Sequence, residues 1–368
     1  MPNIPVPNIP VKQLPPLSTI GILGGGQLGR MMAIAAAEMG YHVHIYCPEK
    51  NSPASEVARY NTVGEYNDIK ALVRFAENVD VITYEFENIP AKPVTAIAKK
   101  INVFPSPHIL ATSQHRVLEK QAMGAMGIAT APFVPASSLE ELRFATRTIG
   151  LPAVLKTARM GYDGKGQVIL REEADIKKAW NKLGNNELIL EGFVNFTMEI
   201  SVIVARDVKG NIQCYCPVQN THKNHILHET IVPAPISKKL ATKAENIACK
   251  IAKELDLVGL LAIEMFVTND DKILVNEIAP RPHNSGHWTL DAAITSQFEQ
   301  VIRAVCGLPL GNPERLCNAK MLNLIGDDVN DWKNYSAQKN AKLHLYGKKE
   351  TKAGRKMGHV TFLMTDEI

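Results

Sequence analysis

The chain has 368 residues, 45% of them hydrophobic and 21% charged, with a formal net charge of +4. That length exceeds one typical core and points to two or three domains. The small net charge argues against a nucleic-acid binder, and the lack of an apolar run of about 18 residues argues against a membrane span.

The first 18 residues carry the tetrapeptide PNIP twice and have no basic stretch followed by an apolar one. They read as a Pro-rich extension, extended or disordered, rather than a signal peptide, and are expected to add little stability. Six cysteines, Cys47, Cys214, Cys216, Cys249, Cys306 and Cys317, contain no CxxC and make no disulfide framework. They fit a reducing cytoplasm.

Thr19 to Leu23 reads as a strand. Gly24-Gly25-Gly26-Gln27-Leu28-Gly29 follows, then a helix from Arg30 to Met39 and a strand from His42 to Cys47. This βαβ start with a GxGxxG turn offers helix N-terminal amides to a phosphate. It is compatible with a dinucleotide, with another phosphate ligand, or with tight helix–sheet packing alone. A dinucleotide-binding dehydrogenase wants an acidic residue ending the second strand, and Glu49 sits there behind Pro48, an imperfect fit. A helix near 67–77 leads to the strand Val79 to Tyr84. Glu85 stands at its C-terminal end, where open α/β sheets bind ligands. It is either a ligand contact or a solvated loop acid. A helix over Val94 to Lys100 and a strand over Asn102 to Phe104 complete a small α/β domain.

From Ser113 the pattern changes. Gln114 to Met126 reads as a helix carrying Arg116 and Lys120. Leu151 to Lys156 is a buried strand, and the head of Lys156 needs an anion. Gly161, Gly164 and Gly166 punctuate the loop from Arg159 to Gln167. Its amides can fold over phosphates, or it is a simple hairpin turn. It is not a P-loop, because that frame needs glycine where Arg159 stands. The strand Leu188 to Val194 leaves into an open stretch whose backbone can read an adenine edge. Glu199 lies on the next strand, Met198 to Ala205, as a ligand contact or an edge-strand surface acid. Cys214 and Cys216 with His222, His225 and His228 match no standard zinc spacing. Lys238 to Leu255 forms an amphipathic helix.

The most informative stretch follows. Apolar runs Leu260 to Val267 and Ile273 to Ile278 flank Asn269-Asp270-Asp271-Lys272, which reads as a β-hairpin. With Asp270-Asp271 as a two-residue loop, Glu264 faces Glu277. Like charges directly opposite destabilise a sheet unless a cation lies between them, and oxygen ligands suit Mg²⁺. A register slipped by one residue, or both side chains in water, is the bland alternative. Arg281, His283 and Asn284 follow at once and suit a small oxyanion beside a metal–phosphate site. The chain closes with a helix over Leu290 to Val305, a strand over Lys342 to Tyr346, a basic loop with Lys348, Lys349, Lys352, Arg355 and Lys356, and a strand over His359 to Met364. Such a loop is either solvated or a site.

Lys156, the GYDGKGQ loop, EGFV, the Glu264/Glu277 pair and NEIAPRPHNSGH together resemble the ATP-grasp ligases. GGGQLGRM, EFENIP, RPHNSGHWT and HLYGK…GRKMGH resemble, within them, the 5-(carboxyamino)imidazole ribonucleotide synthase family. The resemblance runs from about Ile20 to the C-terminus. It implies an α/β (α+β) ATP-grasp fold with an N-terminal Rossmann-like, pre-ATP-grasp domain. The implied division is a Pro-rich extension over residues 1–18, the Rossmann-like domain over 19–115, a lid over 116–194 and a C-terminal ATP-grasp domain over 195–368. It also implies ATP-dependent carboxylation of 5-aminoimidazole ribonucleotide by bicarbonate through carboxyphosphate, in purine biosynthesis, by a cytoplasmic homodimer with no nucleic-acid or membrane partner.

By the same resemblance, ATP is held by Arg116, Lys156, Gly161, Tyr162, Asp163, Gly164, Lys165, Gly166 and Gln167. The residues Glu191, Gly192, Phe193 and Val194 meet adenine, Glu199 meets the ribose, and His222 and Asn276 lie beside the nucleotide. Mg²⁺ falls to Glu264 and Glu277. Arg281, His283 and Asn284, with Lys348, fall at the reacting centre. Gln27, Leu28, Glu85, Tyr162, Asp163, Lys348 and Arg355 hold the ribonucleotide. The rival dehydrogenase reading leaves the carboxylate hairpin and the basic loop unexplained, while another ATP-grasp carboxylate–amine ligase stays open.

Overall fold

A computed structural model describes residues 12–161 and 165–364. Tyr162, Asp163 and Gly164, expected at the site, lie outside the described residues. The first unit is a parallel sheet of β1 (Thr19–Leu23), β2 (His42–Cys47), β3 (Tyr60–Val63) and β4 (Val81–Tyr84), in the order β3-β2-β1-β4. Its helices are α1 (Gln27–Glu38), α2 (Ile69–Ala76), α3 (Ala91–Ile97) and α4 (Pro107–Ser113). Asp68 and Ser106 cap α2 and α4 by accepting from Ala71 N and Ile109 N. The strand expected over 102–104 is reduced to a single bridge between Ile82 and Val103. Strand β3 gave no sequence signal because it is a mostly exposed edge strand with no apolar alternation.

The extension expected to be loose is docked over the part described. Leu14 N donates to Cys306 O at 2.9 Å, Leu17 N donates to Gly40 O at 2.8 Å, and the Tyr41 hydroxyl donates to Leu14 O at 2.8 Å. Leu14 packs against the main apolar core.

The helix expected over 114–126 begins at α5 (Arg116–Ala125), apart from α4. The break is fixed by Gln114, whose amide donates to the carbonyls of Glu87 and Ile89, and by extended backbone at His115. A small antiparallel sheet follows, built from β5 (Phe133–Ala136), β6 (Ala153–Thr157), β7 (Gln167–Leu170) and β8 (Leu188–Gly192) in the order β5-β8-β6-β7. Helices α6 (Leu139–Ile149) and α7 (Ala174–Leu183) cover one face, with Leu142, Leu155, Leu188 and Leu190 at the contact.

The large sheet holds nine strands: β9 (Phe196–Arg206), β10 (Ile212–Cys214), β11 (Val218–Lys223), β12 (Ile226–Val232), β13 (Gly259–Thr268), β14 (Ile273–Ala279), β15 (Asn318–Ile325), β16 (Ala341–Leu345) and β17 (Lys356–Met364). Their order is β14-β13-β9-β11-β12-β15-β17-β16, with β10 paired to β9 alone. Helix α8 (Lys238–Glu254) covers Ile200, Val202 and Val204 on one face. The helix expected over 290–305 is interrupted into α9 (Thr289–Ala292) and α10 (Gln297–Val305). Ser296 caps α10, and the Ile294 and Thr295 amides turn away to Glu314 O and Asn312 O. A short α11 (Trp332–Ser336) precedes β16.

The β13–β14 hairpin keeps the expected Glu264–Glu277 pairing by a different route. Thr268 N donates to Lys272 O, leaving the three-residue loop Asn269-Asp270-Asp271 with Asp271 at φ 56°. Val267, Phe266 and Met265 therefore pair one residue away from expectation, with Ile273, Leu274 and Val275. A bulge then absorbs Asn276, and Glu264 meets Glu277.

Candidate active site

The two antiparallel sheets close on a cavity of about 330 Å³. Alternation along the strands aims one polar row at it. Glu199 on β9, Glu264 and Phe266 on β13 and Glu277 on β14 all line the cavity. Strand β9 lies between β13 and β11, so Glu199 is not an edge-strand acid. Its carboxylate lies 2.6 Å from His222 Nδ1 on β11. Burial works against the charged ring of His222, but Glu199 and Glu264 together outweigh it and raise its pKa.

Burial, and then the facing Glu277, push Glu264 up to about 7. Two carboxylates held face to face at the cavity wall are the donor set a hard divalent cation takes. Their present partners are cationic or neutral donors. Arg116 Nη1 lies 3.2 Å from Glu277, and His283 Nε2 lies 3.3 Å from Glu264. A third carboxyl, Glu119 on α5, was missed by sequence reasoning. It accepts from Ile278 N, and burial, then Glu277, push it up to about 8. The i, i+3 spacing from Arg116 put it on the cavity face of α5.

The smaller sheet supplies the cations. Lys156 Nζ on β6 donates to Glu191 Oε2 at 2.8 Å, and Lys120 Nζ lies 3.5 Å from the same oxygen. Burial, only partly countered by Glu191, lowers the Lys156 pKa. In the segment that the resemblance gave to adenine, the Glu191 side chain turns to these lysines, and Gly192, Phe193 and Val194 lie outside the cavity lining. Gly161, Lys165 and Gln167 do line it, and Arg116 Nη2 donates to Gly161 O at 3.1 Å. Gly166 closes the loop at φ 71°, a conformation that favours glycine. The bulge residue Asn276 also lines the cavity, and its carbonyl accepts from Lys120 at 3.4 Å.

At the far wall stand Arg281, His283 and Asn284. Arg281 Nε donates to Glu87, a partner from the turn that follows β4. Both polar atoms of the Asn284 amide are buried without a partner at the cavity wall. An amide so placed is paired when a ligand fills the space. Burial, then Arg281 and Lys356, hold the His283 pKa well below the usual histidine value.

The N-terminal turn departs from its first reading. Gly26 N and Gly29 N donate to the two oxygens of Glu85, which is 7% exposed. Glu85 is therefore no solvated loop acid, and the amides offered to a phosphate are occupied. Leu28 has its side chain in the core. Gln27 opens α1 beside the turn. Lys348 faces this turn: Glu85 raises its pKa while burial and Arg355 outweigh that and lower it to about 8. Its Nζ donates to Lys356 O at 2.6 Å, and Arg355 donates to Glu350 O at 3.0 Å. The lysine of the basic loop that lines the main cavity is Lys356, which the sequence did not single out from its neighbours. Cys214 Sγ lies 3.3 Å from Cys249 Sγ, on α8, away from the β11–β12 histidines, so the zinc drawing fails.

Two antiparallel sheets gripping one polar cavity, with a lysine from the smaller and facing carboxylates from the larger, define an ATP-grasp enzyme. Residues 121–298 match the ATP-grasp domain, 17–114 the ribonucleotide synthetase preATP-grasp domain and 319–367 the phosphoribosylaminoimidazole carboxylase C-terminal domain. The chain belongs to the N5-carboxyaminoimidazole ribonucleotide synthase family and is an ATP-dependent ligase. It is 48% identical over 353 residues to the Bacillus subtilis (strain 168) N5-carboxyaminoimidazole ribonucleotide synthase, covering 96% of this chain and 93% of that one. It is 49% identical over 370 residues to the Dictyostelium discoideum bifunctional purine synthesis protein purC/E, covering 95% of this chain but spanning 37% of that longer protein. The ADP complex of purK, an N5-carboxyaminoimidazole ribonucleotide synthetase, superposes with a TM-score of 0.93 at 47% identity, over 95% of this chain and 93% of that one. The Aspergillus clavatus N5-carboxyaminoimidazole synthase, in complex with ADP and 5-aminoimidazole ribonucleotide, gives 0.89 at 30% identity over 95% and 94%. Among the described residues no helix is long and apolar enough to cross a membrane.

Proposed function

We propose that the chain carries out its family's reaction, the ATP-dependent carboxylation of 5-aminoimidazole ribonucleotide, with bicarbonate as the carbon source and Mg²⁺ as the resident metal. The observation that carries the site assignment is the Glu264–Glu277 pair lining one cavity together with the unpartnered Asn284 amide. A bicarbonate oxygen attacks the γ-phosphorus of ATP and ADP leaves, giving carboxyphosphate. The ribonucleotide amine then takes the carboxyl carbon, the carboxyl–phosphate bond breaks, and phosphate departs with the amine proton.

The residues divide these tasks. Phosphoryl transfer needs positioning and charge neutralisation above all. Lys156, Arg116, Lys165, Gln167 and the loop from Gly161 to Gly166 hold the ATP phosphates. Glu199 and His222 meet the ribose, and Asn276 stands beside the metal ligands. Glu264 and Glu277 hold Mg²⁺, which when bound neutralises phosphate charge. Arg281, His283 and Asn284 cradle the bicarbonate. Gln27, Glu85, Lys348 and Arg355 hold the ribonucleotide. Carboxyphosphate hydrolyses readily, and the smaller sheet with its glycine loop is the cover that excludes water. We place the enzyme in the cytoplasm as a homodimer.

The test is ADP release by the full chain. It should require Mg²⁺, bicarbonate and 5-aminoimidazole ribonucleotide together. Release at full rate without the ribonucleotide or without bicarbonate refutes the reading.

A further inference from the structure

The ring of His283 has two nitrogens that point to different neighbours. Nε2 faces the cavity, 3.3 Å from Glu264 Oε1. Nδ1 faces inward, 2.9 Å from Ser285 Oγ and 3.4 Å from Ser285 N. A backbone N–H only donates, so Nδ1 is an acceptor.

Behind it runs a buried chain of hydrogen bonds with one consistent direction. Thr230 Oγ1 donates to Asn220 Oδ1 at 3.0 Å, and Asn220 Nδ2 donates to Ser201 Oγ at 2.9 Å. Ser201 Oγ donates to Ser285 Oγ at 2.7 Å, which leaves the Ser285 proton for His283 Nδ1. Thr230 and Ser285 are fully buried, and Ser201 and Asn220 are 1% and 6% exposed. Gln297 clamps the backbone of the same residue. It accepts from His283 N at 2.9 Å and donates to His283 O at 2.7 Å. Both partners are main-chain groups of fixed polarity, so the orientation of the Gln297 amide is settled.

We infer that Thr230, Asn220, Ser201 and Ser285 form a one-way hydrogen-bond relay that positions His283 in its Nε2–H tautomer, so that it donates a hydrogen bond to the bicarbonate oxygen and does not act as a base. This rests on the proposed assignment of residues 281 to 284 to bicarbonate. The relay acts through His283 and touches no substrate itself. The charged groups facing His283 are Arg281 from its own loop, Glu264 from β13, His222 from β11 and Lys356 from β17. None of them contacts Nδ1 in place of Ser285.

The test uses the full chain labelled with ¹⁵N-histidine. Long-range ¹H–¹⁵N spectra report which ring nitrogen carries the proton, and His283→Ala identifies the signal. The wild type should show a single Nε2–H form. Ser285→Ala leaves Nδ1 only the longer donor, Ser285 N at 3.4 Å, in place of the hydroxyl at 2.9 Å, and should show a mixture of tautomers, with kcat/KM for bicarbonate down by about tenfold and KM for ATP unchanged. Ser201→Ala, which spares the direct donor, should give a smaller loss of about threefold in the same parameter. A Ser285→Ala protein that keeps the single Nε2–H signal overturns the relay, whatever its activity, because the serine then acts by packing. An Nδ1–H signal in the wild type overturns it as well. If His283→Ala leaves kcat/KM for bicarbonate unchanged, the bicarbonate assignment itself fails and the inference goes with it.

Discussion

Glu277→Gln separates the metal role of the hairpin from its structural role. Two charges facing each other about 5 Å apart repel by roughly 3 kcal/mol at an effective dielectric near 20. Glu277 is 41% exposed and Arg116 stands 3.2 Å away, so screening leaves about 1 kcal/mol. Glutamine keeps an oxygen for Arg116 and removes the repulsion. The variant in EDTA should therefore melt higher than the wild type, by about 2 °C. The gain depends on pH with a definite sign. Glu264 titrates at about 7 in the fold, above the ordinary glutamate value of about 4.3, so its ionised form costs the folded state. That cost is absent below about pH 4 and complete above about pH 7, so the gain should be full at pH 8 and largely gone at pH 5. The same variant should lose at least about a hundredfold in kcat and lose the rise in melting temperature that Mg²⁺·ADP gives the wild type. Differential scanning fluorimetry at both pH values, with steady-state kinetics, measures all three. A gain equal at pH 5 and pH 8, or a Mg²⁺·ADP shift as large as the wild type's, refutes the reasoning.

Lys348 titrates at about 8, so its charge is present below that pH and lost above it. KM for 5-aminoimidazole ribonucleotide should therefore climb above about pH 8 in the wild type, and Lys348→Arg should remove the climb. Arg355→Ala should raise the same KM and leave KM for ATP alone; equal weakening toward both substrates would strip the loop of its assignment. Lys356→Met should lower kcat by about a hundredfold, because it removes a cation from the wall shared with Arg281 and His283; a merely raised KM for the ribonucleotide would place it with Lys348 instead. Deleting residues 1–17 should destabilise the chain by about 2 kcal/mol, since it removes three inter-segment hydrogen bonds and the packing of Leu14. An unchanged melting temperature would show that this docking contributes nothing.

Much of the site was legible because strand alternation and motif order are local properties. The hairpin shows the limit. Its turn was read one residue too short, and the bulge at Asn276 was not foreseen; the two displacements cancel at Glu264 and Glu277. The pairing was right and half of the ladder was not. Apolar spacing cannot reveal a bulge, because the residue it adds obeys no alternation. Lys356 was hidden for a different reason. Five basic residues stand from 348 to 356, and of these only Lys356, where the strand begins, lines the main cavity. The docked tail was illegible because composition reports what a segment is made of, not the carbonyl of Cys306 that receives it. The ion pairs of the Glu191 side chain were illegible because its two lysines stand 71 and 35 positions earlier in the chain.

The carboxylate seated in the glycine turn carries a consequence for what the N-terminal domain can recognise. Glu85 lies across the mouth of α1, taking the amides of Gly26 and Gly29, and a side chain at Gly26 would run into it. A visiting phosphate would meet a charge of its own sign there. The turn is thus a negative socket built from a positive helix end, and it favours groups that bring protons: sugar hydroxyls and amines in place of phosphoryl oxygens. On the proposed assignment, the phosphate of a ribonucleotide is left to Lys348, which faces the turn, and to Arg355. One acidic side chain has thereby changed the language of a nucleotide-binding turn from anions to hydrogen-bond donors.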